Sequence, residues 1–135
     1  MSALSLHGGV EWIVDAHGCD GAALRSLAAL QGLFARAVEE LGLTPIAAPA
    51  WHQFGGEGGV SGLVLLAESH LACHTFPEAR YASVNLYCCR PRPAWDWPSR
   101  LAEAVGARQV EVRTVNRPGD SSITTGDSSI TGSRR

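Results

Sequence analysis

The sequence contains no lysine, because all eleven basic residues among its 135 are arginines. An enzyme that holds pyridoxal phosphate as an internal Schiff base needs a lysine amine, and a Walker-type phosphate loop needs a lysine as well. Both kinds of site are therefore excluded.

Long apolar runs and an excess of positive charge are also absent. No apolar run approaches the roughly 20 residues of a membrane span, and no charged-then-apolar signal precedes the first predicted strand. The net charge of −2 argues against a nucleic-acid surface. The four cysteines, two of them adjacent at Cys88 and Cys89, lack the spacing of a secreted disulfide scaffold. We expect a cytoplasmic protein with reduced thiols that binds a small metabolite, and neither nucleic acid nor a membrane.

The chain length and the composition of its end predict one domain and a tail. A chain of 135 residues has the usual size of a single domain. From Pro118 onward, the sequence Gly-Asp-Ser-Ser-Ile-Thr occurs twice, beginning at Gly119 and at Gly126. We predict a single domain over residues 1–117 and a disordered, low-complexity tail without a catalytic role over residues 118–135.

Hydrophobic periodicity predicts the order of strands and helices. Apolar residues recur at intervals of three and four from Leu24 to Leu41, which indicates a helix of about six turns, capped by Asp20 and ended by Gly42. A second helix should begin at the Asp96 cap and end near residue 105. Strands are predicted over residues 10–16, 44–54, 60–67, 70–76, 81–89 and 109–115. This order predicts an α/β fold, a two-layer α+β sandwich with a mostly antiparallel sheet and two helices on one face.

The strand predicted over residues 81–89 assigns its two cysteines to opposite faces. Side chains alternate along a strand, so the apolar set that includes Val84, Leu86 and Cys88 shares one face. Cys88 should therefore point into the core, and Cys89 should point to the polar face.

An apolar strand runs directly into Glu68, Ser69 and His70, and residues 74–78 follow with the sequence His-Thr-Phe-Pro-Glu. This stretch resembles the self-cleavage site of the prokaryotic S-adenosylmethionine decarboxylases, which make a pyruvoyl cofactor from their own serine. Similar blocks lie at residues 13–20, 59–62 and 81–89. Four blocks in the same order cover most of residues 10–115 and are far more specific than one short motif.

The resemblance implies a role for several side chains. The chain would be cleaved between Glu68 and Ser69, and Ser69 would become the pyruvoyl group that binds the substrate's amine as a Schiff base. His74 matches the family's processing histidine, and Ser61 matches a serine implicated in the same step. Cys89 matches the proton donor, in agreement with the strand parity.

The resemblance also implies a substrate and an assembly. Phe54 and Phe76 match the aromatic pair that holds adenine, and Glu78 matches the carboxylate that binds the ribose hydroxyls. The implied substrate is S-adenosylmethionine, for spermidine biosynthesis, and the implied assembly is a homodimer whose sheets face one another. Phe76 stands where many members have a tryptophan, Asn85 stands where an acid is common, and the glycine loop at 55–59 is slightly longer. The first two departures bear on substrate fit more than on cleavage.

Two other interpretations stay open. The same scaffold can act on ornithine or arginine, in which case Glu78 would bind the distal cation. Alternatively, the chain is an unprocessed, non-enzymatic dimer that binds a metabolite or a metal, and Glu68 to His70 form an ordinary turn. A zinc site is disfavoured because on an extended strand His70 and His74 face away from Cys73, and the sequence has no CxxC pair.

Overall fold

The computed structural model describes residues 8–119 and contains a six-stranded sheet in which every neighbouring pair is antiparallel. The strands are β1 (Gly8–His17), β2 (Ala50–Gln53), β3 (Val60–Leu65), β4 (Ser69–Phe76), β5 (Tyr81–Cys88) and β6 (Gln109–Pro118). Their order across the sheet is β2-β3-β4-β5-β1-β6. The predicted α+β architecture is confirmed. Residues 1–7 and 120–135, which include most of the predicted tail, lie outside the described part of the chain.

The helices are α1 (Gly21–Leu24), α2 (Leu27–Leu41) and α3 (Trp97–Val105), and a 3-10 turn spans Pro77–Ala79. The prediction of one six-turn helix after Asp20 is wrong. Ser26 has an extended backbone, and its side chain accepts a hydrogen bond from the amide of Ala29 at 3.1 Å, which starts a new helix. The Asp20 cap and the end of α2 at Gly42, with φ of 65°, are as predicted.

The helices pack on one face of the sheet through a single cluster of buried apolar side chains. Helix α2 contributes Leu30 and Phe34, and α3 contributes Trp97 and Leu101. Asp96 caps α3 as predicted, since its carboxylate accepts from the Ser99 amide. No helix within residues 8–119 is long and apolar enough to cross a membrane.

No helix within residues 8–119 covers the opposite face of the sheet, which retains apolar side chains. The outward side chains of β3, Leu63 and Leu65, are 50% and 59% exposed. We call this surface the open face, and it also includes Glu11 and Asp15 of β1 and the outward side chains of β4 and β5: His70, His74, Phe76, Tyr81, Ser83, Asn85 and Tyr87.

Strand boundaries differ from the prediction mainly at the two edges. Strand β2 is four residues long, and Pro45 forms only an isolated bridge with Leu66. Prolines have no amide hydrogen to donate, so Pro45 and Pro49 prevent a continuous ladder over residues 44–54. At the other edge, β6 continues past the predicted residue 115 to Pro118, because it pairs with the full length of β1.

Candidate active site

The Glu68–Ser69 bond lies in the tight hairpin between β3 and β4. Leu66 and Ser69 exchange two backbone hydrogen bonds, at 2.9 and 3.2 Å, so Ala67 and Glu68 form a two-residue loop. Two-residue hairpin loops favour turns whose residues have positive φ, but neither Ala67 nor Glu68 has a positive φ. Ser69, which follows the loop, has a φ of 157°, which departs from the usual strand values. The peptide bond before Ser69 is therefore held in an irregular backbone.

The carbonyl of Glu68 is polarised by a backbone donor. The amide of Cys89 donates to this carbonyl oxygen at 2.9 Å. The contact follows from strand register, because Ser69 pairs with Cys88 across β4 and β5. A backbone N–H directed at a carbonyl stabilises the negative charge that develops there when a nucleophile attacks. The hydroxyl of Ser69 is on the next residue.

The Glu68 side chain is buried and ionised. Its carboxylate accepts from the Thr44 amide at 3.2 Å and contacts the Arg92 guanidinium at 3.1 Å. Burial opposes ionisation, but the Thr44 hydrogen bond and the Arg92 charge together keep the pKa of Glu68 below its ordinary value. Sequence reasoning missed both partners, since neither Thr44 nor Arg92 belongs to a pattern that points to Glu68.

Ser61 and His74 form a second polar pair on the open face. They are cross-strand neighbours on β3 and β4, and Ser61 Oγ lies 2.8 Å from His74 Nδ1. The next residue, Thr75, is buried and fixes the register, because its hydroxyl accepts from the Val60 amide and donates to the Leu24 carbonyl, both at 2.8 Å. With Thr75 directed inward, His74 is directed outward.

A cavity of about 340 Å³ lies beside this pair. Both Ser61 and His74 line it, and so do the three residues predicted to bind the substrate, Phe54, Phe76 and Glu78. The remaining lining residues are Gly55, Glu57, Gly59 and Thr75. Sequence reasoning did not single out Glu57, which adds a second carboxylate to the cavity.

The predicted site residues fall into two groups that do not meet within this chain. Ser69 begins β4 and His74 lies five residues further along the same strand, which corresponds to about 17 Å at 3.3 Å per residue. The Ser69 end carries Cys89, whereas the His74 end carries Ser61 and the cavity. The two groups of predicted site residues thus lie apart in this chain.

The four cysteines differ sharply in their surroundings. Cys88 is fully buried and Cys89 is exposed, which confirms the predicted parity. Burial raises the pKa of Cys73 to about 12, and it also raises the pKa values of Cys19 and Cys88. The buried cysteines therefore remain neutral thiols in the core. Within residues 8–119, no three His, Cys, Asp or Glu side chains converge as metal ligands would.

A chain of polar contacts crosses the open face next to Ser69. His70 Nε2 lies 2.9 Å from Asn85 Oδ1, the Asn85 amide nitrogen donates to Glu11, and Glu11 is paired with Arg117. Since the Asn85 oxygen only accepts, His70 donates from Nε2. Sequence reasoning noted Asn85 as a departure from the family's acid, but it did not predict this network.

Comparisons with known proteins give one consistent family. The family described as S-adenosylmethionine decarboxylase matches residues 10–118. An S-adenosylmethionine decarboxylase proenzyme from Carboxydothermus hydrogenoformans is 34% identical over 118 residues, 87% of this chain and 88% of the relative. An arginine decarboxylase proenzyme from Aeropyrum pernix is 37% identical over 95 residues, 70% and 72% of the two chains. The crystal structure of an adenosylmethionine decarboxylase from Aquifex aeolicus superposes with a TM-score of 0.72 at 26% identity, over 87% of this chain and 97% of that one.

Proposed function

Because the chain belongs to the S-adenosylmethionine decarboxylase family of pyruvoyl-type carboxy-lyases, we propose that it cleaves itself between Glu68 and Ser69 and then decarboxylates S-adenosylmethionine. The observation that carries the proposal is the Glu68 carbonyl, which precedes the Ser69 hydroxyl and accepts the Cys89 amide hydrogen at 2.9 Å. The decarboxylated product would be the aminopropyl donor for spermidine biosynthesis.

Self-cleavage begins at the Ser69 hydroxyl. Its oxygen attacks the Glu68 carbonyl carbon, the carbon–nitrogen bond breaks, and the amine of residue 69 takes a proton, which leaves an ester. Loss of the Ser69 α-proton then breaks the bond between Cβ and Oγ, so Glu68 leaves as a carboxylate that retains both oxygens. Residue 69 finally takes up one water and releases one ammonia to become the pyruvoyl group. The residues around Ser69 fit this chemistry, since the Cys89 amide is in place to hold the oxyanion.

The proton transfers of self-cleavage need a base. The hydrogen-bonded Ser61–His74 pair has the chemistry for this task, but it lies about 17 Å along the strand from Ser69. We therefore propose a homodimer whose open faces pack together, so that Ser61 and His74 of one protomer lie beside Ser69 of its partner. The exposed side chains of Leu63 and Leu65 support this packing, because they form apolar surface on the open face, which the partner would cover.

Once formed, a pyruvoyl group supplies an electron sink for the electrons released as carbon dioxide leaves the substrate. The chain must then return a proton to the substrate's α-carbon. Cys89 is the residue we assign to this step, because its thiol is exposed beside the cleavage site while the thiol of Cys88 is buried.

The cavity lined by Phe54, Phe76 and Glu78 has the chemistry that an adenosine group requires. Two aromatic rings provide apolar surface for a base, and a carboxylate accepts hydrogen bonds from a diol. The Phe76 ring stacks on the Tyr81 ring, with ring centroids 5.5 Å apart and a 19° angle between the rings. We assign the cavity to the adenosine part of S-adenosylmethionine.

Decarboxylation of arginine or ornithine is the second candidate function. The similarity to the arginine decarboxylase proenzyme of Aeropyrum pernix favours it. The cavity also contains two carboxylates, Glu57 and Glu78, either of which suits the distal cation of a basic amino acid. The aromatic pair favours the first candidate, because a short aliphatic amine would leave both rings without a stacking partner.

Substitutions in the cavity test the substrate assignment. Phe54→Ala and Phe76→Ala should each raise the Michaelis constant for S-adenosylmethionine by about tenfold, since each removes one stacking surface. Glu78→Gln should raise it as well, because an amide is a weaker acceptor for the ribose hydroxyls. Steady-state assays of the cleaved proteins measure these effects. Glu103→Gln, on the opposite side of the molecule, is the control, and unchanged Michaelis constants in all three cavity variants would refute the assignment.

Substitution of the adjacent cysteines separates processing from turnover. Cys89→Ala keeps the backbone amide that contacts Glu68, so it should still cleave but should decarboxylate poorly. Cys88→Ala should retain turnover and lose roughly 1–3 kcal/mol of stability through a core cavity. Intact mass, carbon dioxide release and thermal unfolding measure the three properties. Loss of turnover in Cys88→Ala with full turnover in Cys89→Ala would contradict the assigned proton donor.

A further inference from the structure

The pair between Glu68 and Arg92 is the most buried ion pair in the described residues. The Glu68 side chain is 8% exposed and that of Arg92 is 18% exposed, with Nη2 and Oε2 3.1 Å apart. Among residues 8–119, Arg92 Nε is shielded from solvent and has no hydrogen-bond partner of normal geometry, although the guanidinium also lies near the buried Cys88 thiol. Removing two charges from water and leaving one donor unpaired costs free energy that a single ion pair does not reliably recover. Stability alone therefore does not explain why Arg92 lies here.

The same short segment contacts Glu68 at two points. Cys89 donates its amide hydrogen to the Glu68 carbonyl, and Arg92, three residues later, contacts the Glu68 carboxylate. Thr44 holds the other carboxylate oxygen from the opposite side. Glu68 is thus held both at its main-chain carbonyl and at its carboxylate.

We propose that Arg92 is a positioning residue for self-cleavage, which fixes the Glu68 side chain and thereby keeps the scissile carbonyl on the Cys89 amide. The inference rests on the proposed function and adds to it a residue that does not touch the reacting atoms. A small displacement of a reacting group is enough to slow a reaction strongly. Without the guanidinium, the Glu68 carboxylate keeps only its hydrogen bond with the Thr44 amide. The Glu68 carbonyl is then no longer held in position against the Cys89 amide.

Arg90 provides a matched control. It precedes a proline, as Arg92 does, and it lies in the same segment, but it is exposed. Among the described residues it has no ion pair or side-chain hydrogen bond. Full-length Arg92→Ala, Arg92→Lys, Arg90→Ala and wild-type chains would be made by short cell-free translation, and cleavage would be followed by intact mass. The same substitutions in the uncleavable Ser69→Ala chain would report stability separately, by thermal unfolding.

Arg92→Ala should cleave about tenfold or more slowly than Arg90→Ala, as expected for loss of a charged hydrogen bond. Arg92→Lys should be intermediate. Added guanidinium ion at millimolar concentration should accelerate Arg92→Ala and leave Arg90→Ala unchanged, a response that a purely structural role does not predict.

Equal cleavage rates for Arg92→Ala and Arg90→Ala would overturn the inference and leave the proposed function intact. Slow cleavage that neither lysine nor guanidinium relieves would also overturn it, and a matching loss of thermal stability would identify Arg92 as structural. If the wild-type chain and Arg90→Ala both stay whole, the proposed function fails and the inference fails with it.

Discussion

The Ser69→Ala chain should remain a single species of 135 residues, whereas the wild-type chain should separate into residues 1–68 and 69–135. Without the hydroxyl no ester forms at Glu68, so we expect complete loss of cleavage and of decarboxylation. The mechanism also fixes the masses. Together the two wild-type fragments should weigh one water more and one ammonia less than the intact chain, and the second fragment should have a blocked N-terminus. Intact-mass analysis under denaturing conditions measures all of these.

Ser99→Ala serves as the control for this experiment, because Ser99 is an exposed serine of helix α3. It should cleave at the wild-type rate. A wild-type chain that stays whole after long incubation would favour a non-enzymatic domain that binds a metabolite. Simple hydrolysis, with a free serine at the new N-terminus, would contradict the pyruvoyl product while leaving the cleavage position correct.

Two inactive variants should restore cleavage when they are combined. His74→Ala and Ser69→Ala should each stay whole alone, because each lacks one half of every site. In a mixed dimer, Ser69 of the His74→Ala chain lies beside His74 of the Ser69→Ala partner, which completes one site of the two. Co-expression should therefore cleave about half of the His74→Ala chains, the share expected from random pairing, and none of the Ser69→Ala chains.

The alanine at position 74 identifies the cleaved chain, since it changes the mass of the fragment that begins at residue 69. Co-expression with a Ser69→Ala, His74→Ala double variant is the control and should produce no cleavage. If His74→Ala cleaves when expressed alone, His74 is not the processing base. If it stays whole both alone and in the mixture, the site is not divided between protomers as we propose.

Strand parity was the part of the structure that the sequence predicted best. Alternation along β5 correctly placed Cys88 in the core and exposed Cys89, and the same rule correctly placed His70 and His74 opposite Cys73. Helix ends marked by Asp20 and Gly42 were also correct. These features depend on local periodicity and on single capping residues, which the sequence displays directly.

The features that sequence reasoning missed depend on contacts between distant segments or on competing local signals. The apolar stripe runs across Ser26, so periodicity concealed the cap that divides the first predicted helix. Arg92 and Thr44, which contact Glu68, each lie 24 residues from it in the sequence, and no sequence pattern links either residue to Glu68. The separation of Ser69 from His74 became visible only when both were placed on one continuous strand.

Carbon dioxide release from carboxyl-labelled substrates tests the central claim most directly. The cleaved wild-type protein would be supplied in parallel with S-adenosylmethionine, arginine and ornithine, with the Ser69→Ala chain as the blank. We predict release from S-adenosylmethionine in preference to the two basic amino acids, and none from the blank. Release only from arginine or ornithine would contradict the substrate assignment, and no release from any of the three would contradict the proposed decarboxylase activity.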